Sequence, residues 1–110
     1  MPLSRRARIE IYLPTKNEER YQRLRRACEL EFLRMFGGCT VISGARGLYL
    51  NSDSDEETDT IDVVYADTPF ELEEDNAKLA RYTDELKAAV LNATNEEAIL
   101  LVVHEIYHSV

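Results

Sequence analysis

The stretch Ala98-Ile99-Leu100-Leu101-Val102-Val103-His104-Glu105-Ile106-Tyr107-His108 decides the fold, because it reads as a strand while its last five residues spell the H-E-x-x-H pattern of zinc peptidases. Such a peptidase needs both histidines one helical turn apart on one face, with the glutamate placed as general base. The run leading in is short, rich in β-branched residues and bounded by Asn95, which predicts a buried strand from about Glu97 to His108. On a strand, residues four apart lie roughly 13 Å from each other. Two Zn–N bonds of about 2 Å cannot close that gap. His104, Glu105 and His108 are therefore expected to hold no metal. The histidines are read as interface or solvent residues on one edge of the strand, and a zinc metallopeptidase is the remote alternative.

Upstream, the residues from Ala7 to Leu13 alternate, with Ala7, Ile9, Ile11 and Leu13 on one face and Arg8, Glu10 and Tyr12 on the other, which is a half-buried strand. Pro14 ends it, and Thr15-Lys16-Asn17-Glu18 offers a capping-box start for a helix. Tyr21, Leu24, Cys28, Phe32 and Met35 recur at helical spacing, and Gly37-Gly38 stops the helix. Cys39 to Leu50 reads as a second strand with a bulge or bend at Gly44-Ala45-Arg46-Gly47. Residues 51–59 form an acidic loop, and Thr60 to Ala66 form a third strand whose Ile61, Val63 and Tyr65 are expected to face the helices. Asp67-Thr68-Pro69 predicts the start of a second helix, carried by Leu72, Leu79, Leu86 and Ala93 at intervals of seven and ending by Asn95. The order strand, helix, strand, strand, helix, strand is the ferredoxin-like βαββαβ arrangement, an α+β fold with both helices on one face of an antiparallel sheet. The other face is left bare.

The chain of 110 residues is expected to form a single domain, residues 1–110, small enough to gain from oligomerisation. Its longest uncharged apolar stretch, Ala98 to Val103, is far too short to span a bilayer, and the basic start, residues 1–8, lacks an apolar segment after it. A cytoplasmic protein with no membrane partner is expected. Cys28 and Cys39 match no zinc or C-x-x-C spacing and read as free thiols. The net charge of −8 is divided as +5 over residues 1–50 and −13 over residues 51–110. That division suits mutual attraction across a fold or subunit interface better than a nucleic-acid surface, which the overall field would repel.

Several short patches carry a resemblance. Ile11-Tyr12-Leu13-Pro14, Phe36-Gly37-Gly38-Cys39-Thr40, Gly47-Leu48-Tyr49 and Glu97-Ala98-Ile99-Leu100 resemble a group of small bacterial ferredoxin-like proteins of unknown function, frequent in cyanobacteria. The resemblance implies a fold and no catalytic or binding residue, and the acidic hairpin loop departs from the group. The architecture is also similar to that of small metal-tolerance and nitrogen-signalling trimers, whose motifs are absent.

Among candidate sites, Asp53-Ser54-Asp55-Glu56-Glu57-Thr58-Asp59 has Thr58 where a calcium loop needs glycine and Val64 where it needs a bidentate glutamate, so it reads as a solvated hairpin tip. Gly44 to Gly47 lacks the Lys-Ser/Thr of a phosphate loop. The helix arginines Arg20, Arg23, Arg25, Arg26 and Arg34 are expected to pair with acids such as Glu71, Glu73, Glu74, Asp84 and Glu85. The ligand-binding candidates are Arg8, Glu10, Tyr12 and Asp62, expected to converge on the bare sheet face because the first and third strands are central neighbours. No catalytic residue and no cofactor is expected. The sequence points to an interaction or regulatory module that forms a homo-oligomer through the open sheet face. The alternative is a dimeric α/β-barrel enzyme or binding protein with those residues at its pocket.

Overall fold

The computed structural model describes residues 3–94, 96 and 99–108. The elements run β1 (Ser4–Pro14), α1 (Glu19–Phe36), β2 (Thr40–Leu50), β3 (Glu56–Asp67), α2 (Asn76–Asn92) and β4 (Leu100–His108). The four strands form one antiparallel sheet in the order β2-β3-β1-β4, so β1 and β3 are central as expected. This is a ferredoxin-like α+β fold.

The alternation of β1 places the core. Ala7, Ile9, Ile11 and Leu13 are buried under the helices with Cys28 and Phe32 of α1 and Leu79 and Val90 of α2. Each large apolar side chain removed from water there contributes roughly 1.5–3 kcal/mol. Phe36, rather than the exposed Met35, extends the α1 stripe and meets Tyr82 edge-on, with ring centroids 5.5 Å apart. Gly37 adopts a left-handed conformation (φ 82°) and donates its N–H to Leu33 O, ending α1 at the expected glycine.

The register corrects the expected facing of β3. Leu13, Ile11 and Ile9 stand opposite Asp62, Val64 and Ala66, so those three face the helices, while Ile61, Val63 and Tyr65 lie on the open side. Either alternate set of this strand contains valine, and the small Ala66 fits beneath a helix where Tyr65 would not.

Three boundaries also differ from the sequence reading. Thr15 does not cap α1: its hydroxyl donates to Asp62 and its N–H to Thr60 O, so the helix begins after Glu18 with no side-chain cap. The second helix does not start at Asp67-Thr68-Pro69, because Thr68 is fully buried and fastened to β1, donating both its N–H and its hydroxyl to Ala7 O. Residues 56–59, read as loop, belong to β3, where they pair with β2 alone. β2 and β3 thus run past the body of the sheet as a hairpin arm. The arm explains a 48 Å long axis and a radius of gyration of 15.3 Å, against about 13 Å for a compact chain of this length. α2 ends at Asn92, within the expected stretch Asn92 to Asn95, while Asn95 itself and Glu97 and Ala98, the expected opening of the last strand, lie outside the described residues.

Candidate functional site

The open face is built from the outward set of β1, namely Arg6, Arg8, Glu10 and Tyr12, flanked by β3 on one side and β4 on the other. The register puts Arg8 between Asp67 and His104, Glu10 between Tyr65 and Val102, and Tyr12 between Val63 and Leu100. Arg8 donates Nε–H and an Nη2–H to the two carboxylate oxygens of Asp67, at 2.6 and 3.2 Å, and its guanidinium lies 4.4 Å from the centre of the Tyr65 ring. The Asp67 hydrogen bonds push the Arg8 guanidinium above its ordinary range, against the opposing pull of burial. The Tyr12 hydroxyl donates to Glu10 Oε1 at 3.2 Å, and burial followed by the Glu10 charge raises its pKa. Arg6 donates Nε–H to His108 Nε2 at 2.9 Å, with that ring nitrogen as the acceptor. His104 Nε2 lies 3.5 Å from Glu10 Oε1, out of water and without a hydrogen bond. The strand reading of the H-E-x-x-H segment holds, since β4 carries both histidines at extended spacing.

Arg8, Glu10 and Tyr12 are therefore brought together, whereas Asp62 is not. Asp62 sits on the helix side, 5% exposed, and joins a different constellation. Its Oδ1 accepts from the Thr15 hydroxyl at 2.9 Å and the Gly44 N–H at 3.0 Å, and its Oδ2 accepts from Arg25 Nη1 at 2.9 Å. Burial pushes the carboxyl up, but these donors outweigh it and hold Asp62 below the ordinary carboxylate range. Gly44, at φ 72°, lies in the register shift between Ile42 and Ala45, so Asp62 pins the β2 bulge to Thr15 after β1 and to Arg25 of α1. This is a structural clasp. Arg25 Nε is 3.5 Å from Glu29 and makes no hydrogen bond, so the strong partner of this arginine is Asp62.

The other helix arginines also depart from expectation. Arg20 pairs with Glu18, Arg23 with Glu19 and Arg26 with Glu29, local partners where Glu71, Glu73, Glu74, Asp84 and Glu85 were expected. Asp67 and Tyr65, which complete the open-face network, escape a reading of the sequence because its pattern puts Asp67 at a helix start and Tyr65 on the opposite face. The signal that identifies them is the β1–β3 register.

No family model matches the chain, and no curated protein sequence matches it. Solved structures do match the ferredoxin-like domain. One is the divalent cation tolerance protein CutA1 of Thermus thermophilus, with 15% identity, 92% of this chain and 82% of that chain covered, and a TM-score of 0.56. Another is CutA1 of Oryza sativa, with 14% identity, 97% and 84% covered, and a TM-score of 0.53. At these identities the likeness establishes the fold alone.

Proposed function

We infer that this chain is a small cytoplasmic module without catalysis of its own, an interaction or regulatory protein that assembles with copies of itself through the open sheet face, with Arg8, Glu10 and Tyr12 at the contact. The observation that carries this reading is that the central charges of that face are largely matched within it, Arg8 by Asp67 and Tyr65, Glu10 by Tyr12. A partner can cover the paired Arg8 without stranding its charge, and the Glu10 carboxylate, held by the neutral Tyr12 phenol, is left to receive a donor from that partner. Apolar side chains border it, with Leu100 59% and Ile42 48% exposed, and the arm adds exposed Leu48, Tyr49 and Leu50. An uncovered sheet face and edge strands of this character favour a protein partner. The cysteines are free, in keeping with a reducing compartment. Among the described residues no helix is long and apolar enough to cross a membrane.

The solved neighbours are named for divalent cation tolerance. That role is not carried over at 15% and 14% identity. A ligand-binding version of the same face, as in a dimeric α/β barrel, has one observation in its favour, the buried His104 Nε2 without a hydrogen bond. Light scattering at micromolar concentration distinguishes the readings. The expected mass is a multiple of 12.7 kDa, and Arg8→Met should weaken assembly or lower stability by roughly 1–3 kcal/mol. A monomer mass overturns the proposal, and an intact Arg8→Met oligomer that has lost a small-molecule ligand favours the barrel.

A further inference from the structure

On the side of the molecule away from the open face, a surface groove of about 440 Å³ runs between α1 and α2, its floor formed by the buried Cys28 and Val90 and its rim by the exposed Ala27, Glu85, Ala89 and Ala93. Leu24, Leu86 and Val90 supply apolar walls, and the groove exists because Ala27, Ala89 and Ala93 place methyl groups where longer side chains would close the gap. Its volume lies within the range of small-molecule sites. Among the described residues the charged groups lining it are the acids Glu31 and Glu85, with no lysine or arginine. The Tyr82 hydroxyl donates to Glu31 Oε1 at 3.1 Å, which fixes that carboxylate at the wall and leaves its second oxygen available. Burial, followed by the Glu31 charge, keeps the Tyr82 phenol protonated as that donor.

We propose that this groove binds an organic cation, an ammonium group on an apolar body, with the body against Leu24, Leu86 and Val90 and the charge between Glu31 and Glu85. Charge complementarity selects this occupant. An apolar carboxylate would meet two like charges, whereas an ammonium meets two opposite ones. The aromatic ring of Tyr82 at the wall suits an ammonium as well. The site is independent of the open sheet face, so it stands or falls separately from the assembly.

The test is a titration of the full chain, followed by amide NMR shifts, with decylammonium, decanol and decanoate below micelle formation. Decylammonium should shift the amides of Ala27, Ala89 and Ala93 saturably, with Kd below about 1 mM. Decanol should bind about fivefold more weakly, the worth of one partly screened charge contact. Glu31→Gln combined with Glu85→Gln should bring decylammonium down to the decanol level. Ala89→Phe, or Ala27→Leu should the first variant misfold, should fill the groove and remove the saturable shifts. Decanoate binding as tightly as decylammonium overturns the proposal. So do decylammonium shifts centred on residues 53–59 that survive the filled groove, which would mark adventitious attraction to an acidic chain. Groove amides that respond to protein dilution and not to decylammonium would assign the groove to a second copy and equally overturn it.

Discussion

Replacing Asp62 by asparagine keeps the shape of the side chain and removes the charge that three donors share. Asparagine retains one carbonyl oxygen for Thr15 or Gly44, but its amide presents N–H groups toward donors that need an acceptor. A hydrogen bond to a charged group is worth about 1.5–3 kcal/mol. The loss is moderated here because the Arg25 side chain is 37% exposed and can rehydrate in part. A net destabilisation of about 2–3 kcal/mol follows. With an unfolding entropy of about 2.1 cal/mol/K per residue, 1 kcal/mol corresponds to about 4 °C for a chain of this length, so the melting temperature should fall by about 10 °C at pH 7. The pH dependence carries a second signature. Because the folded Asp62 pKa lies below its unfolded value, its stabilisation is present above the unfolded carboxylate range, near pH 4, and is lost as pH falls through the lower folded value. Thermal melts from pH 7 to pH 2 should therefore converge for the two proteins at the acid end, and exchange of the Gly44 amide should quicken in the variant. A melting temperature within about 2 °C of the parent, with a parallel acid limb, would refute the clasp.

Two other outcomes test the packing and the last strand. Burial pushes the Cys28 thiol up to about 11, and Cys28 is 3% exposed, so iodoacetamide at pH 8 should label native protein at the half-buried Cys39 first and reach Cys28 only on unfolding; equal labelling by mass spectrometry would contradict the packed α1 stripe. Equimolar zinc should leave the melting temperature unchanged, since His104 and His108 are about 13 Å apart on β4; a stoichiometric zinc content surviving metal-free purification would reinstate the peptidase motif.

Periodicity alone determined most of the architecture. The alternation of Ala7, Ile9, Ile11 and Leu13 has one solution, since the other set contains Arg8 and Glu10, and the spacing of Tyr21, Leu24, Cys28 and Phe32 admits only a helix. Together with the strand character of the final segment they yield βαββαβ and the co-facing of Arg8, Glu10 and Tyr12, all as found. The third strand was not legible in the same way. Ile61, Val63 and Tyr65 form as apolar a set as Val64 and Ala66, and Asp62 weighs against the second set only if it stays unpaired. What decides is the convergence of Thr15 from the end of β1, Gly44 from the β2 bulge and Arg25 from α1, residues up to 47 positions away in the chain, which makes a buried carboxylate stable on the helix side. The same long-range logic moved the start of α2, because Thr68 finds Ala7 O across the sheet, and created the helix groove, because Ala27 of α1 faces Ala89 and Ala93 at the far end of α2 across one gap. Local pattern chooses a period for each segment. Which of two equally apolar faces turns inward is set by hydrogen-bond partners that only the assembled fold brings within 3 Å.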